Sequence, residues 1–234
     1  MIELEDLKQQ LRAVPTSVNN FKLLNIRTQY VYELLMEAYI AEVKSRGHVF
    51  IHTQMIESTL MEMARFMTDP KDCRFSIMLC GIVGNGKSTA HKAFNRVITL
   101  LHSYKLLVAK DPLTLNAKML QLTAAEPAKW EEVLNWYGWL GIEDMGSEPC
   151  ESKIYGRTVS CVADLLEYRY DKCKSTIVTT NLTSSEIREK YGIRASDRVN
   201  DSMKVIIFGD IDFRKLNNPE RTDNNNKQQD TSKL

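Results

Sequence analysis

One junction constrains this chain more than any other feature. At 75–80 the sequence FSIMLC is a short, unbroken apolar run, the mark of a strand buried on both faces. It runs directly into Gly81-Ile82-Val83-Gly84-Asn85-Gly86-Lys87-Ser88, and a helical pattern through Ala90, Phe94, Val97 and Leu101 follows. The segment satisfies G-x-x-x-x-G-K-[ST], in the strand-loop-helix setting that gives the pattern its meaning. Gly81, Gly84 and Gly86 let the backbone turn its N–H groups inward around phosphate oxygens, and the helix that follows adds its positive end. Lys87, expected to stand exposed on the loop, would reach the β- and γ-phosphates. The Ser88 hydroxyl would ligate magnesium, and Asn85 and Thr89 complete the candidate nucleotide contacts.

The rest of the chain supplies a sheet for that junction. Apolar runs at 75–80, 106–109 (LLVA), 139–142 (WLGI), 176–180 (TIVTT) and 205–208 (VIIF) alternate with helical patterns. Five such runs predict an α/β fold, a parallel sheet covered by helices on both faces. Helices are expected around 115–122 and 130–136, through Tyr155, Val159, Val162 and Leu166, and over 184–191. Two helices lead into the first strand. One carries Ile26, Tyr30, Leu34 and Val43 on a face and ends at Arg46-Gly47; the other carries Ile56, Leu60, Met63 and Met67 and stops at Asp69-Pro70. Residues 1–25 read as a short N-terminal extension, 26–215 as the core with its lead-in helices, and 216–234 as a disordered tail, because LNNPERTDNNNKQQDTSKL is almost devoid of apolar residues.

Composition narrows the setting. Lys plus Arg is 31 against 30 Asp plus Glu, so bulk charge does not single out a nucleic-acid or membrane-surface protein. The five cysteines include no C-x-x-C pair, which speaks against a disulfide framework or thiolate zinc site and fits a reducing, cytoplasmic compartment. The opening MIELEDLKQQ is polar, unlike a secretory signal, and no apolar run approaches the ~20 residues of a membrane span. His48 and His52 are spaced i,i+4 but lack the glutamate of a zinc-protease helix.

A phosphate loop needs a metal partner and a poised water. WLGI runs into Glu143-Asp144, at the carboxyl end of a strand, where ligands bind in open α/β sheets. Glu143 would hold magnesium through water, and Asp144 would polarise the attacking water. Asn181, after TIVTT, would orient that water or sense the γ-phosphate. Arg194 and Arg198 lie four apart on one face of a short helix. Taken alone, they and Arg169 read as solvated surface charges.

GIVGNGKS, IEDMGSEP, STIVTTNL and YGIRASDR occur in the order and spacing of the AAA+ ATPases of the DnaC/IstB type, and the chain resembles that family from about residue 30 to residue 214. The family comprises bacterial and phage helicase loaders and transposition helper ATPases. The resemblance implies a P-loop NTPase AAA+ core whose first, third and fourth strands lie side by side, so that Lys87, Asp144 and Asn181 converge on one ATP with its Mg2+. It gives Arg198 the position of an arginine finger, inserted into a neighbouring subunit's site, with Arg194 as its companion one turn earlier. FGDIDFR (208–214) resembles the closing G-x-S-x-R segment, altered by Asp210 and Asp212. The family has Asp-Asp where this chain has Glu143-Asp144, and no C-terminal helical lid is expected here.

The implied function is a magnesium-dependent ATPase acting as an ATP-driven oligomeric switch in DNA replication, a replicative-helicase loader. Its partners would be the helicase, single-stranded DNA and, through Arg198, further copies of itself; no membrane is involved. Alternatives are an IstB-like transposition helper, and a nucleotide-dependent binding module with negligible hydrolysis. A small-molecule kinase is disfavoured by the lack of a second basic cluster to hold an acceptor phosphate.

Overall fold

The computed structural model describes residues 23, 25–106, 111–149, 152–154 and 157–217. Nearly all of the expected N-terminal extension and most of the expected tail lie outside them. Leu23, assigned to the extension, belongs to the core: it is buried, and its N–H donates to the Met67 carbonyl. At the other end, residues 216 and 217 close a short helix and are not tail.

The lead-in helices are α1 (Thr28–Ser45) and α2 (Gln54–Thr68). Thr53 caps α2 by accepting from the Ile56 N–H at 3.2 Å, and the helix stops at Asp69 before Pro70. Then come β1 (Ser76–Cys80), α3 (Lys87–Ser103), β2 (Leu113–Asn116), α4 (Ala117–Ala124), α5 (Pro127–Asn135) and β3 (Leu140–Met145). A hairpin of β4 (Ser152–Ile154) and β5 (Arg157–Val159) precedes α6 (Cys161–Asp171), β6 (Thr176–Thr180), α7 (Ser184–Ser202), β7 (Met203–Ile207) and α8 (Phe213–Asn217).

The main sheet is parallel throughout and ordered β2-β3-β6-β1-β7. The first, third and fourth strands expected from the sequence are therefore neighbours, as β1, β3 and β6. Alternation along the strands splits the core in two. Ile77, Leu79 and Ile177 face a cluster formed with α1, α2 and α3. Met78, Val178, Leu140 and Ile142 face the other, built with α4, α6 and α7. Helices thus cover both faces. Under the first layer Phe94 meets Trp139 edge-to-face at 4.9 Å, a geometry that adds about 1 kcal/mol to simple burial.

Three elements differ from the sequence reading. The second strand is Leu113–Asn116, whose last two residues overlap the start of the stretch read as helical; of the expected strand 106–109, residues 107–109 lie outside the described set. β2 is an edge strand with every residue half-buried, so it lacks the fully apolar signature that marks the inner strands. Asn116 ends it by accepting from the Lys118 N–H at 3.0 Å, which starts α4. The helix expected from Tyr155 begins only at Cys161, because the residues before it pair as a hairpin. The helix expected over 184–191 continues to Ser202 as α7, broken by non-helical backbone at Gly192.

Arg169 overturns the expectation of a solvated charge. It is 1% exposed. Its guanidinium donates to Thr176 Oγ1 at 2.9 Å and to the carbonyls of Trp136 (3.2 Å), Gly138 (3.2 Å) and Ser175 (2.6 Å). It seals the connection entering β3 to the start of β6, the two strands that end in Asp144 and Asn181. Truncation leaves these acceptors buried without donors, so Arg169→Ala should lose about 3 kcal/mol of unfolding free energy in a urea titration. Arg169→Lys should recover only part of it, since an ammonium cannot reproduce the planar fork.

Candidate functional site

The loop between β1 and α3 is shaped by Gly81, Gly84 and Gly86 at φ 145°, 86° and 95°. At Gly86 the requirement is double: the backbone is left-handed, and a Cβ there would run into the Tyr39 hydroxyl from α1. The lead-in helix therefore forms the floor of the loop. Burial pushes the Tyr39 phenol up to about 12. Asn85 is fully buried; it donates to the Gly209 carbonyl at 3.4 Å and accepts from Lys87 at 3.1 Å.

Lys87 is not exposed on the loop, contrary to expectation. It is 6% exposed. Besides the bond to Asn85, its Nζ donates to the carbonyls of Gly81 and Ile82, both at 2.6 Å. A helix-start lysine above a ring of loop carbonyls has these acceptors within reach, and burying the ammonium without them would be prohibitive. Burial pushes Lys87 down to about 8, with nearby Arg214 acting in the same direction and Cys80 and Asp144 opposing.

Beside the loop lies a cavity of about 160 Å³. Gly84, Gly86, Lys87, Ser88 and Thr89 line one wall. Asp144 and Asn181 line it from the ends of β3 and β6, and Arg214 from α8. The remaining wall is an apolar slot of Tyr39, Val43, Phe50, Ile51 and Ile56, with Arg46 and His48 beside it. Sequence reasoning missed this slot, since its residues look like ordinary core positions of two helices and their connection. It also left the place of Arg214 open, and the structure puts that side chain on the cavity wall.

Asp144 owes its place to an irregularity in β3. The β3–β6 register shifts between Ile142 and Met145, and Asp144 takes φ 56°, an uncommon conformation for a residue with a side chain. Two threonines of β6 hold it. Thr179 Oγ1 accepts the Asp144 N–H at 3.0 Å, and Thr180 Oγ1 donates to the Met145 carbonyl at 2.7 Å. Asn116 Nδ2 reaches Asp144 Oδ2 at 3.2 Å.

Glu143 behaves differently. It does not line the cavity; its Oε1 lies 3.5 Å from Nδ1 of His91, on α3. The imidazole holds the Glu143 carboxyl below its ordinary value, against the opposing effect of burial. Among the described residues no group of three or more His, Cys, Asp or Glu could hold a metal. What the site offers an ion is the Ser88 hydroxyl, one or two carboxylates and the oxygens of a bound phosphate. That donor set suits Mg2+, which keeps waters and leans on substrate phosphates.

Arg194 and Arg198 stand outside their own chain's cavity, on the part of α7 after Gly192. Arg194 is 71% exposed at its side chain and lies 3.5 Å from Glu167. Arg198 is 16% exposed, bridging Glu167 (3.1 Å) and Asp171 (3.0 Å) over the Tyr170 ring. A second network went unread in the sequence. Buried Glu148 accepts from the Gly146 N–H at 2.9 Å and from the Tyr191 hydroxyl, while Lys190 donates to the carbonyls of Gly146 (2.7 Å) and Glu148 (2.5 Å). It ties the turn after Asp144 to the first half of α7.

No family model and no curated protein sequence matches this chain. Solved structures do. The DnaC helicase loader matches with TM-score 0.52 at 19% identity, over 69% of this chain and 94% of that one. DnaI matches with TM-score 0.51 at 16% identity, over 76% and 93%. AMPPCP-bound DnaA from Aquifex aeolicus matches with TM-score 0.51 at 13% identity, over 70% of this chain and half of that one. The fold is thus that of these P-loop AAA+ structures, a five-stranded parallel sheet with helices on both faces. No helix among the described residues is long and apolar enough to cross a membrane.

The displaced Lys87 value carries a pH dependence. The unfolded chain keeps this proton to about 10.5 and the folded protein to about 8. Across that window the unfolded state binds more protons, so stability of the free protein rises with pH. A triphosphate against Nζ favours the ammonium and raises the value again. Nucleotide binding should therefore take up a proton above about pH 8, and affinity should fall as pH rises past that point. Calorimetry in buffers of different ionisation enthalpy should show the uptake there, none well below it, and none in Lys87→Arg.

Proposed function

We propose that the chain is a magnesium-dependent ATPase working as an ATP-driven oligomeric switch in DNA replication, a replicative-helicase loader. One observation carries the reading: the phosphate loop, Asp144, Asn181 and Arg214 meet in a single cavity that continues into an apolar slot sized by Tyr39 and Phe50. In this reading the adenine takes the slot. Lys87 exchanges its loop carbonyls for the β- and γ-phosphate oxygens, and Arg214 adds a second positive charge from α8. Ser88 would hold Mg2+ directly and Glu143 through water, and the ion would supply charge withdrawal from the phosphate oxygens. Asp144 polarises the attacking water and Asn181 orients it.

The oligomeric part rests on Arg198. It lines no part of its own cavity, and its partners on α6 are Glu167 and Asp171, part-exposed carboxylates that an incoming phosphate could replace. The fold likeness to the DnaC helicase loader and to DnaI supports a replicative helicase as partner. Residues 152–215 carry 12 Lys and Arg against 9 Asp and Glu, a local excess suited to tracking single-stranded DNA. An IstB-like transposition helper would share this site and differ in partner. A second reading, a nucleotide-dependent binding module with negligible hydrolysis, is favoured by the Glu143 carboxylate lying at His91 instead of on the cavity wall.

Phosphate release, with and without single-stranded DNA, separates the two readings. Asp144→Asn should still bind nucleotide while turnover falls by a factor on the order of 10²–10⁴, the usual worth of a positioned base. Arg198→Ala should bind nucleotide nearly normally and lose a factor on the order of 10³–10⁵ in turnover. Lys87→Ala has a dead pocket and an intact finger, and Arg198→Ala the reverse. Mixed, the two should exceed either alone. No gain under conditions where the wild type assembles removes Arg198 from the neighbour's site.

A further inference from the structure

Helix α3 begins at the phosphate loop, and its second turn carries His91, 0% exposed. Room for the ring comes from β3. A Cβ at Gly141 would stand 2.6 Å from His91 Cε1 and 2.6 Å from Thr114 Oγ1, so only glycine fits. Thr114 Oγ1 already accepts from Asn95 Nδ2 at 2.9 Å. Among the described residues neither ring nitrogen of His91 makes a hydrogen bond, and Glu143 Oε1 makes none either. The two face each other at 3.5 Å, on the side of β3 that Gly141 opens. A buried imidazole facing a buried carboxylate oxygen, neither with a hydrogen bond, is costly to keep, and their approach at 3.5 Å is the compensation the fold provides.

Geometry gives the pair a use. Ser88 and His91 lie three residues apart on α3, one turn and about 4.5 Å of rise. The glutamate arm brings its carboxylate to 3.5 Å from His91, and an aspartate, one methylene shorter, would stop short of the imidazole. We propose that His91 is a positioning residue that holds the Glu143 carboxylate back from the Ser88 end of the cavity, so that Mg2+ must draw it away from the imidazole. This rests on the reading of the cavity as a magnesium-nucleotide site. His91 touches neither nucleotide nor metal; it sets how much Mg2+ contributes to nucleotide binding.

The test uses the full chain and a fluorescent, non-hydrolysable ATP analogue, with affinity measured in Mg2+ and in EDTA. The ratio of the two affinities is the readout. His91→Leu should raise it roughly three- to tenfold, the worth of one net hydrogen bond, with the EDTA affinity unchanged. His91→Asn, which keeps an N–H near the Nδ1 position, should leave the ratio at the wild-type value. Glu143→Asp should raise the ratio by itself, and His91→Leu should then add nothing. An unchanged ratio in His91→Leu, or the same gain on both backgrounds, overturns the proposal. If His91→Leu does not fold, Glu143→Asp and His91→Asn decide it: a Glu143→Asp ratio equal to wild type, or a raised ratio in His91→Asn, overturns it. Folded wild-type protein that binds no analogue in either condition overturns the nucleotide-site reading itself, a result distinct from binding with an unmoved ratio.

Discussion

The site depends on β6 lying between β1 and β3. That single placement puts the ends of three strands in a row, but strand ends alone leave side chains loosely aimed. The aiming is done by hydroxyls. Thr179 and Thr180 point to opposite sides of β6, and each spends its hydroxyl on the backbone of β3 where the ladder is broken by a bulge. The left-handed Asp144 would otherwise be a strained residue with an unpaired N–H, a combination worth a few kcal/mol against it. With the N–H satisfied by Thr179, the carboxylate is turned into the cavity while its neighbour Glu143 is turned toward α3. The division of labour between two adjacent acids is therefore a property of the strand that flanks them.

The phosphate loop is held from its other side by the closing segment. Phe208 N–H donates to the Cys80 carbonyl at 2.8 Å, and Phe213 N–H to the Gly84 carbonyl at 3.0 Å. Between them Asn85 reaches the Gly209 carbonyl. Asp212, one of the residues that alter the family pattern, packs against Gly84 and accepts the Arg214 N–H at 3.0 Å, so it caps α8. A serine could cap the same helix; the aspartate adds a negative charge beside the loop, opposed by Lys87 and Arg214. Since α8 is only one turn long and starts from bonds to the loop, the position of Arg214 follows that of Gly84. No helical lid is needed to bring an arginine to this cavity.

What the sequence disclosed and what it hid divide along physical lines. The inner strands β1, β3 and β6 are buried on both faces along most of their length, so their runs stand out, and with them came the phosphate loop, Asp144 and Asn181. The edge strand β2 is only half-buried and leaves no such trace, and Val159, Val162 and Leu166 imitate a helical stripe across two different elements, β5 and α6. Arg169 and Lys87 share another cause. A charged side chain reads as exposed unless its acceptors are known, and in both cases these are backbone carbonyls, which no residue pattern encodes. The apolar slot was hidden because Tyr39, Phe50 and Ile56 belong to helices and a connection whose packing against the loop is purely tertiary.

The same geometry ties the cavity to the arginines outside it. From Asp144 the chain turns through Gly146 to Glu148, and Glu148 with Lys190 and Tyr191 makes that turn one unit with the first half of α7. Direct coupling by these bonds ends at Gly192, whose φ of 85° and ψ of 166° interrupt the helix. Beyond it the second half of α7 is tied elsewhere, by Arg194 and Arg198 to Glu167 and Asp171 of α6. The two attachments meet at Gly192, whose left-handed backbone favours glycine. The arginines keep their orientation as long as their carboxylates on α6 hold them, and they can be reoriented only by breaking ion pairs at the surface. Their aim is thus set by these ion pairs, and the acid at the cavity is set by the threonines of β6; the two are joined through a break at Gly192 and not through a continuous helix.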